Sequence, residues 1–144
     1  MPVLNNVAKL AMKPVPRTIS PKVHSIADYL TVGSFLASAG WFWQRSKRAA
    51  LVSLICGAAE LGVSLITDYP GGFKKVISFR AHRDIDMGLA AMTATMPEFL
   101  AFKDESEKKF FLMQGAIITG ITELTQFPER PQRAERGAKH SKAA

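Results

Sequence analysis

A chain of 144 residues has room for one compact domain, or for about four membrane-crossing helices of roughly 20 residues each. Its formal charge of +7 does not read as nucleic-acid binding, because the basic residues gather in tails and connections with no aromatic residues interleaved to stack on bases. The single cysteine, Cys56, excludes an intrachain disulfide, a CxxC redox pair, a zinc ribbon and c-type haem attachment, and reads as a small apolar residue.

Residues 1–18 are expected to form an N-terminal tail. The stretch "MPVLNNVAKLAMKPVPRTISP" lacks the unbroken apolar core of a cleavable signal, and its inner prolines interrupt any long helix. Val3 to Met12 reads either as a short amphipathic segment at a lipid surface or as plain disordered tail. Ser20 followed by Pro21 is a good N-cap followed by a good first helical position, and Ser78 is expected to cap a later helix in the same way.

Four apolar segments follow, at about Ile26 to Gln44, Ala49 to Thr67, Ile85 to Phe102 and Phe110 to Phe127. A soluble four-helix bundle has to be weighed, since Asp28, Glu60, Asp86, Glu98 and Glu123 interrupt them. A soluble bundle helix, however, needs a polar face. Ala49 to Thr67 carries one charge, and Tyr29 to Gln44 carries none and ends in Trp41, Phe42 and Trp43 ahead of "RSKR". Aromatics beside a basic cluster suit a lipid-water interface. Four membrane-crossing helices are therefore expected, joined within pairs by "QRSKR" and "KDESEKK" and between pairs by "DYPGGFKKVISFRAH". Thirteen Lys and Arg fall on the N-terminal side of this layout and six on the other, so both termini are expected in the cytoplasm. Residues 129–144 are expected to be a disordered basic tail able to touch anionic lipid.

The sequence repeats itself at an offset of 58 residues. "ISPKVHSIAD" (Ile19 to Asp28) returns as "ISFRAHRDID" (Ile77 to Asp86), and "GAAELGVSLITDYP" (Gly57 to Pro70) aligns with "GAIITGITELTQFP" (Gly115 to Pro128). The expected fold is thus all-α: a four-transmembrane-helix bundle of two tandem hairpins, residues 19–72 and 73–128, related by internal duplication. Two crossings per unit give both copies the same orientation, related by an approximate two-fold axis along the membrane normal.

The H-x3-D opening, the aromatic end of each unit's first helix and the "TDYP" close resemble the small bacterial membrane proteins built from SPW repeats. The resemblance covers roughly Ile19 to Pro128, with "SAGW" (Ser38 to Trp41) and "MPEF" (Met96 to Phe99) in place of the family's Ser-Pro-Trp signature. It implies a two-hairpin fold in the bacterial inner membrane and no established activity.

His24 and Asp28 stand four residues apart on one helix face, and His82 and Asp86 repeat that spacing. With Thr67, Asp68, Thr125 and Glu123 they are expected to share one polar layer at the cytoplasmic end. Ionisable groups at membrane depth need a partner or a function. The layer reads first as a structural lock between hairpins. It reads second as a site for an ion, a proton or a lipid headgroup rimmed by Lys22, Arg80 and Arg83, and third as a metal or haem site using His24 and His82. Glu60, whose counterpart is Ile118, is the candidate intramembrane carboxylate. Gly57, Ala58 and Gly62, and their counterparts Gly115, Ala116 and Gly120, make small-residue patterns that let helices approach closely.

No phosphate loop, serine elbow or Cys-His constellation is present, so neither catalysis nor a cofactor is expected. The sequence points to a structural or accessory membrane module associating with lipid, another membrane protein or itself. The alternatives are a small ion, proton or solute transport unit using Glu60 and the His-Asp layer, and a metal- or haem-binding membrane protein.

Overall fold

The computed structural model describes residues 15–102 and 105–128. The expected Val3–Met12 segment and the expected basic tail at 129–144 lie outside them. The described chain is mostly helical, in the order α1 (Pro21–Phe42), α2 (Lys47–Ile66), β1 (Thr67–Asp68), β2 (Ile77–Ser78), α3 (Phe79–Phe99) and α4 (Lys108–Leu124).

Local chemistry sets the boundaries. The Ser20, Ser46 and Ser78 hydroxyls accept from the amides of Val23, Ala49 and Ala81, capping α1, α2 and α3. Pro21 then takes the first turn of α1, where its missing N–H costs nothing. The helices begin earlier than the apolar segments, so His24 and His82 fall inside the first turns of α1 and α3. At the other end α3 stops in left-handed Ala101 (φ 55°). Arg48 donates to the Ala101 carbonyl and Arg45 pairs with Glu107 at 3.4 Å, which ties the two interhelical turns together.

α1 packs chiefly on α2 and α3 on α4, with α2·α3 and α1·α4 contacts closing the bundle. Two short parallel pairings, which an all-α reading does not contain, join the hairpins. β1 pairs with β2 through Thr67–Ile77 and Asp68–Ser78, and Ile19 bridges Thr125. The latter bridge uses Ile19 N–H to the Leu124 carbonyl and Gln126 N–H to the Ile19 carbonyl, both 2.9 Å. Ile19 and Ile77, like Thr67 and Thr125, stand 58 residues apart, so each pairing is the counterpart of the other. The loop after β1 depends on Gly72, where a Cβ would collide with the Thr67 carbonyl.

Polarity is distributed unusually across the bundle. Phe35, Phe42, Val52, Phe102, Phe111 and Ile118 fill the half remote from the β pairings, and Tyr69, Phe79 and Phe127 cluster at the near end. Polar pairs are set in among the remote cluster, with Ser38 bonded to Ser53, Thr93 to the Cys56 sulfur and Gln114 to Ser34. Among the described leucines only Leu89 is buried. Leu30, Leu36, Leu51, Leu54 and Leu112 all point outward. Among the described residues one helix, Lys47–Ile66, is long and apolar enough to cross a membrane by length and composition, with a mean hydropathy of 2.0.

The small-residue patterns separate into two kinds. A Cβ on Gly57 would meet the Phe35 Cβ at 3.0 Å, and one on Gly115 would meet the Ala90 carbonyl at 2.9 Å, so these two glycines carry the close approach within each hairpin. Gly62 and Gly120 have open space around them, and Ala58 and Ala116 are exposed. Of the six residues expected to let helices approach closely, Gly57 and Gly115 do so within the hairpins, and the other four face away from the neighbouring helix.

Candidate functional site

His24 and Asp28 on α1 and His82 and Asp86 on α3 converge in the interior, each histidine fully buried and each aspartate nearly so. The i, i+4 spacing puts each His-Asp pair on the inner face of its helix, and the β pairings hold the two helix starts side by side. His24 Nε2 lies 3.3 Å from His82 Nε2, 3.3 Å from Asp28 Oδ1 and 3.2 Å from Asp86 Oδ2. His82 Nε2 lies 3.3 Å from Asp28 Oδ2 and 3.1 Å from Asp86 Oδ2.

The outer nitrogens are fixed by threonines from the opposite hairpin. His24 Nδ1 is 2.7 Å from Thr125 Oγ1, and His82 Nδ1 is 2.8 Å from Thr67 Oγ1. Each threonine hydroxyl donates its own proton to a helix carbonyl, Thr67 to Val63 and Thr125 to Ile121. Each can therefore only accept from the imidazole, which places a proton on both Nδ1 atoms. The carboxylates have outer partners as well. Tyr69 donates to Asp28 Oδ2 at 2.8 Å and Thr122 donates to Asp86 Oδ2 at 3.3 Å. Burial holds the Tyr69 phenol above its ordinary value, so it stays a donor.

Aromatic rings close the near end. Phe79 meets His24 edge-on at 5.1 Å between centroids, Phe127 at 5.9 Å, and Tyr69 lies 5.2 Å from His82. Four potential ligand atoms, one from each of His24, Asp28, His82 and Asp86, all lie within 4.8 Å of one another. Glu60, 1% exposed, projects from α2 into the same interior, with Asp86, Asp28 and His82 as electrostatic neighbours. Glu60 Oε2 and Asp86 Oδ1 are buried without a hydrogen-bond partner.

Two residues expected in the polar layer are not in it. Asp68 points outward and pairs with Lys75 at 2.9 Å, because the extended β1 backbone turns successive side chains to opposite sides and Thr67 takes the inner one. Glu123 sits partly exposed beside Arg83, 3.4 Å away, one residue off the inward face that carries Thr122. Thr67 and Thr125 do belong, together with His24, Asp28, His82, Asp86 and Glu60. Of the expected basic rim, Lys22 is exposed on the first turn of α1. Arg80 donates to the Pro128 carbonyl, and Arg83 lies over the Phe127 ring while lining a cleft of about 280 Å³ with Arg17, Arg80 and Asp84.

Sequence reasoning missed Tyr69, Thr122 and Phe79. Thr122 was findable as the helical i−3 neighbour of Thr125, and Tyr69 as the member of the "TDYP" and "TQFP" closes that carries a hydroxyl. No family model matches the chain, and neither a curated protein nor a solved structure matches it.

Proposed function

We propose that this chain is a small integral membrane protein. Its four helices cross the bilayer as two hairpins derived by internal duplication, with both termini on the cytoplasmic side of a bacterial inner membrane, as the SPW-repeat resemblance implies. The observation that carries this reading is the inverted polarity: leucines outside, and histidine, aspartate, glutamate, serine and threonine inside. In water such a surface exposes apolar side chains along the helices and loses the hydrophobic drive to fold. In lipid the same arrangement satisfies both solvents. The helix lengths of 22, 20, 21 and 17 residues correspond to about 25–33 Å at 1.5 Å per residue, close to the hydrocarbon thickness of a bilayer. Exposed Trp41, Trp43 and Phe99 gather at the far helix ends, where an interface belt belongs.

Within the membrane the module is non-catalytic, a scaffold that associates with lipid or another membrane protein. Histidines with no exposed surface beneath an aromatic cap suit a bundle lock better than substrate turnover. The test is alkaline carbonate extraction of cell membranes, combined with labelling of Gln44→Cys and Lys74→Cys in a Cys56→Ser background by a membrane-impermeant thiol reagent. The reading requires retention in the membrane and labelling of the two positions from opposite sides. Release by carbonate, or labelling from one side only, overturns it.

A second reading, a small proton- or ion-conducting unit, is favoured by the unpartnered Glu60 Oε2 lying between the polar seam and the His-Asp cluster. Glu60→Gln should then abolish flux in reconstituted vesicles while leaving the fold intact; unchanged flux removes it.

A further inference from the structure

The two hairpins bring four ligand-type atoms together, and none of them has an assured proton to offer another. Both imidazoles carry their proton on Nδ1, so in the neutral ring each Nε2 presents a lone pair to the interior, and the carboxylates only accept. Two Nε2 atoms at 3.3 Å with an aspartate oxygen within 3.3 Å of each need a positive species among them.

We propose that His24, Asp28, His82 and Asp86 bind one divalent transition-metal ion of the zinc type, held by both histidine Nε2 atoms and one oxygen from each carboxylate.

Protons alone satisfy this arrangement poorly. With both rings protonated, two Nε2–H groups of like charge face each other at 3.3 Å. With one protonated, the Nε2–H···Nε2 contact is acceptable, but two carboxylates against one imidazolium leave a net negative charge in a sealed interior. A divalent cation removes both conflicts, since two carboxylates balance its charge.

The spacing agrees with this assignment. A tetrahedral ion with bonds of about 2.0–2.1 Å sets its ligand atoms about 3.3–3.4 Å apart. The four separations that His24 Nε2, His82 Nε2, Asp86 Oδ2 and Asp28 Oδ2 make as close contacts run from 3.1 to 3.3 Å, and the ligand atoms of the site all fall within 4.8 Å of one another. The outer contacts agree too. Thr125 and Thr67 hold the histidine Nδ1–H groups, and Tyr69 and Thr122 hold the carboxylates, so every ligand is oriented by a second residue. The unpartnered Asp86 Oδ1, on a side chain 2% exposed, remains available as a further oxygen donor. Imidazole with carboxylate suits zinc, and four protein ligands leave no open coordination position, as in metal sites that stabilise a fold. Neither the ligand geometry nor the charge balance depends on the chain lying in a membrane.

The test is the metal content of the full-length, tag-free chain, produced in medium supplied with Zn²⁺ and measured by inductively coupled plasma mass spectrometry. About one zinc per chain is expected. Thr67→Val, which removes only an outer contact, should weaken zinc binding about 10–100-fold. The Asp28→Asn, Asp86→Asn double variant should hold none. Should that variant fail to fold, the wild type produced with Co²⁺ decides. The intense visible bands of a tetrahedral cobalt site support the proposal, and their absence overturns it. A folded wild type free of metal, or equal metal in the wild type and the folded double variant, also overturns it. One zinc per chain in a protein that carbonate releases would keep this site and reject the membrane reading, so the two proposals fail separately.

Discussion

His24 Nδ1 meets Thr125 Oγ1 at 2.7 Å across 101 residues of sequence, while its own hairpin's threonine, Thr67, serves His82. Each hairpin thus fixes the other's imidazole. The two histidines hold matching hydrogen-bond partners, and His24→Ala and His82→Ala should lower the thermal midpoint by similar amounts. Each leaves two buried aspartates and a threonine short of a partner, a loss on the order of 3–5 kcal/mol. Unfolding followed by circular dichroism checks this, and a large difference between the variants counts against the equivalence.

Removing only the threonine hydroxyls is milder. Thr67→Val and Thr125→Val keep the shape but leave a buried Nδ1–H unmatched, at a cost of about 1–3 kcal/mol each. Thr67→Ser and Thr125→Ser should restore most of it. The readout is the same thermal midpoint, with the serine variants separating a hydrogen-bond effect from a packing effect.

Glu60 should respond in the opposite direction. Its Oε2 is buried and unpartnered, and the position 58 residues later is Ile118, which is buried in the apolar cluster. Glu60→Ile should therefore raise stability by about 1–3 kcal/mol, the desolvation cost of an unsatisfied polar group. A fall in the thermal midpoint would show that the carboxylate has a partner or a bound species holding it.

The glycines divide sharply. Gly115→Ala should destabilise by about 1–3 kcal/mol through overpacking, because its Cβ would sit 2.9 Å from the Ala90 carbonyl. Gly62→Ala, with nothing within 4 Å, should be neutral or raise stability by about 0.5–1 kcal/mol as a mid-helix Gly-to-Ala change does. Equal effects at the two positions would contradict the close approach of α3 and α4.

Four helices, the Ser20 and Ser78 caps and the partners His24, Asp28, His82 and Asp86 were legible in the sequence, whereas the Ser46 cap of α2 was not expected. Helix periodicity and N-cap chemistry are local, and the H-x3-D spacing occurs twice, at His24 and at His82. Asp68 and Glu123 were misplaced because their direction depends on one residue of backbone phase at a helix end, where Thr67 leaves the helix with ψ 140°. Tyr69 and Thr122 were missed for a related reason. They break the repeat, Tyr69 facing Phe127 and Thr122 facing Ser64, yet each supplies a hydroxyl to one aspartate. The parallel pairings were invisible, since two residues of strand carry no alternating pattern.

The bridge between Ile19 and Thr125 means that the described chain begins and ends at the same place. His24 is anchored only when residues 101 positions apart in the sequence meet, whereas His82 finds Thr67 15 residues away. A chain stopped at Leu124 would leave His24 without its anchor. A cut within the loop at 70–76, by contrast, would fall between β1 and β2, whose pairing places Thr67 at the start of α3. The anchor of one imidazole therefore rides on the residue that ends α4, and that of the other on the residue that ends α2.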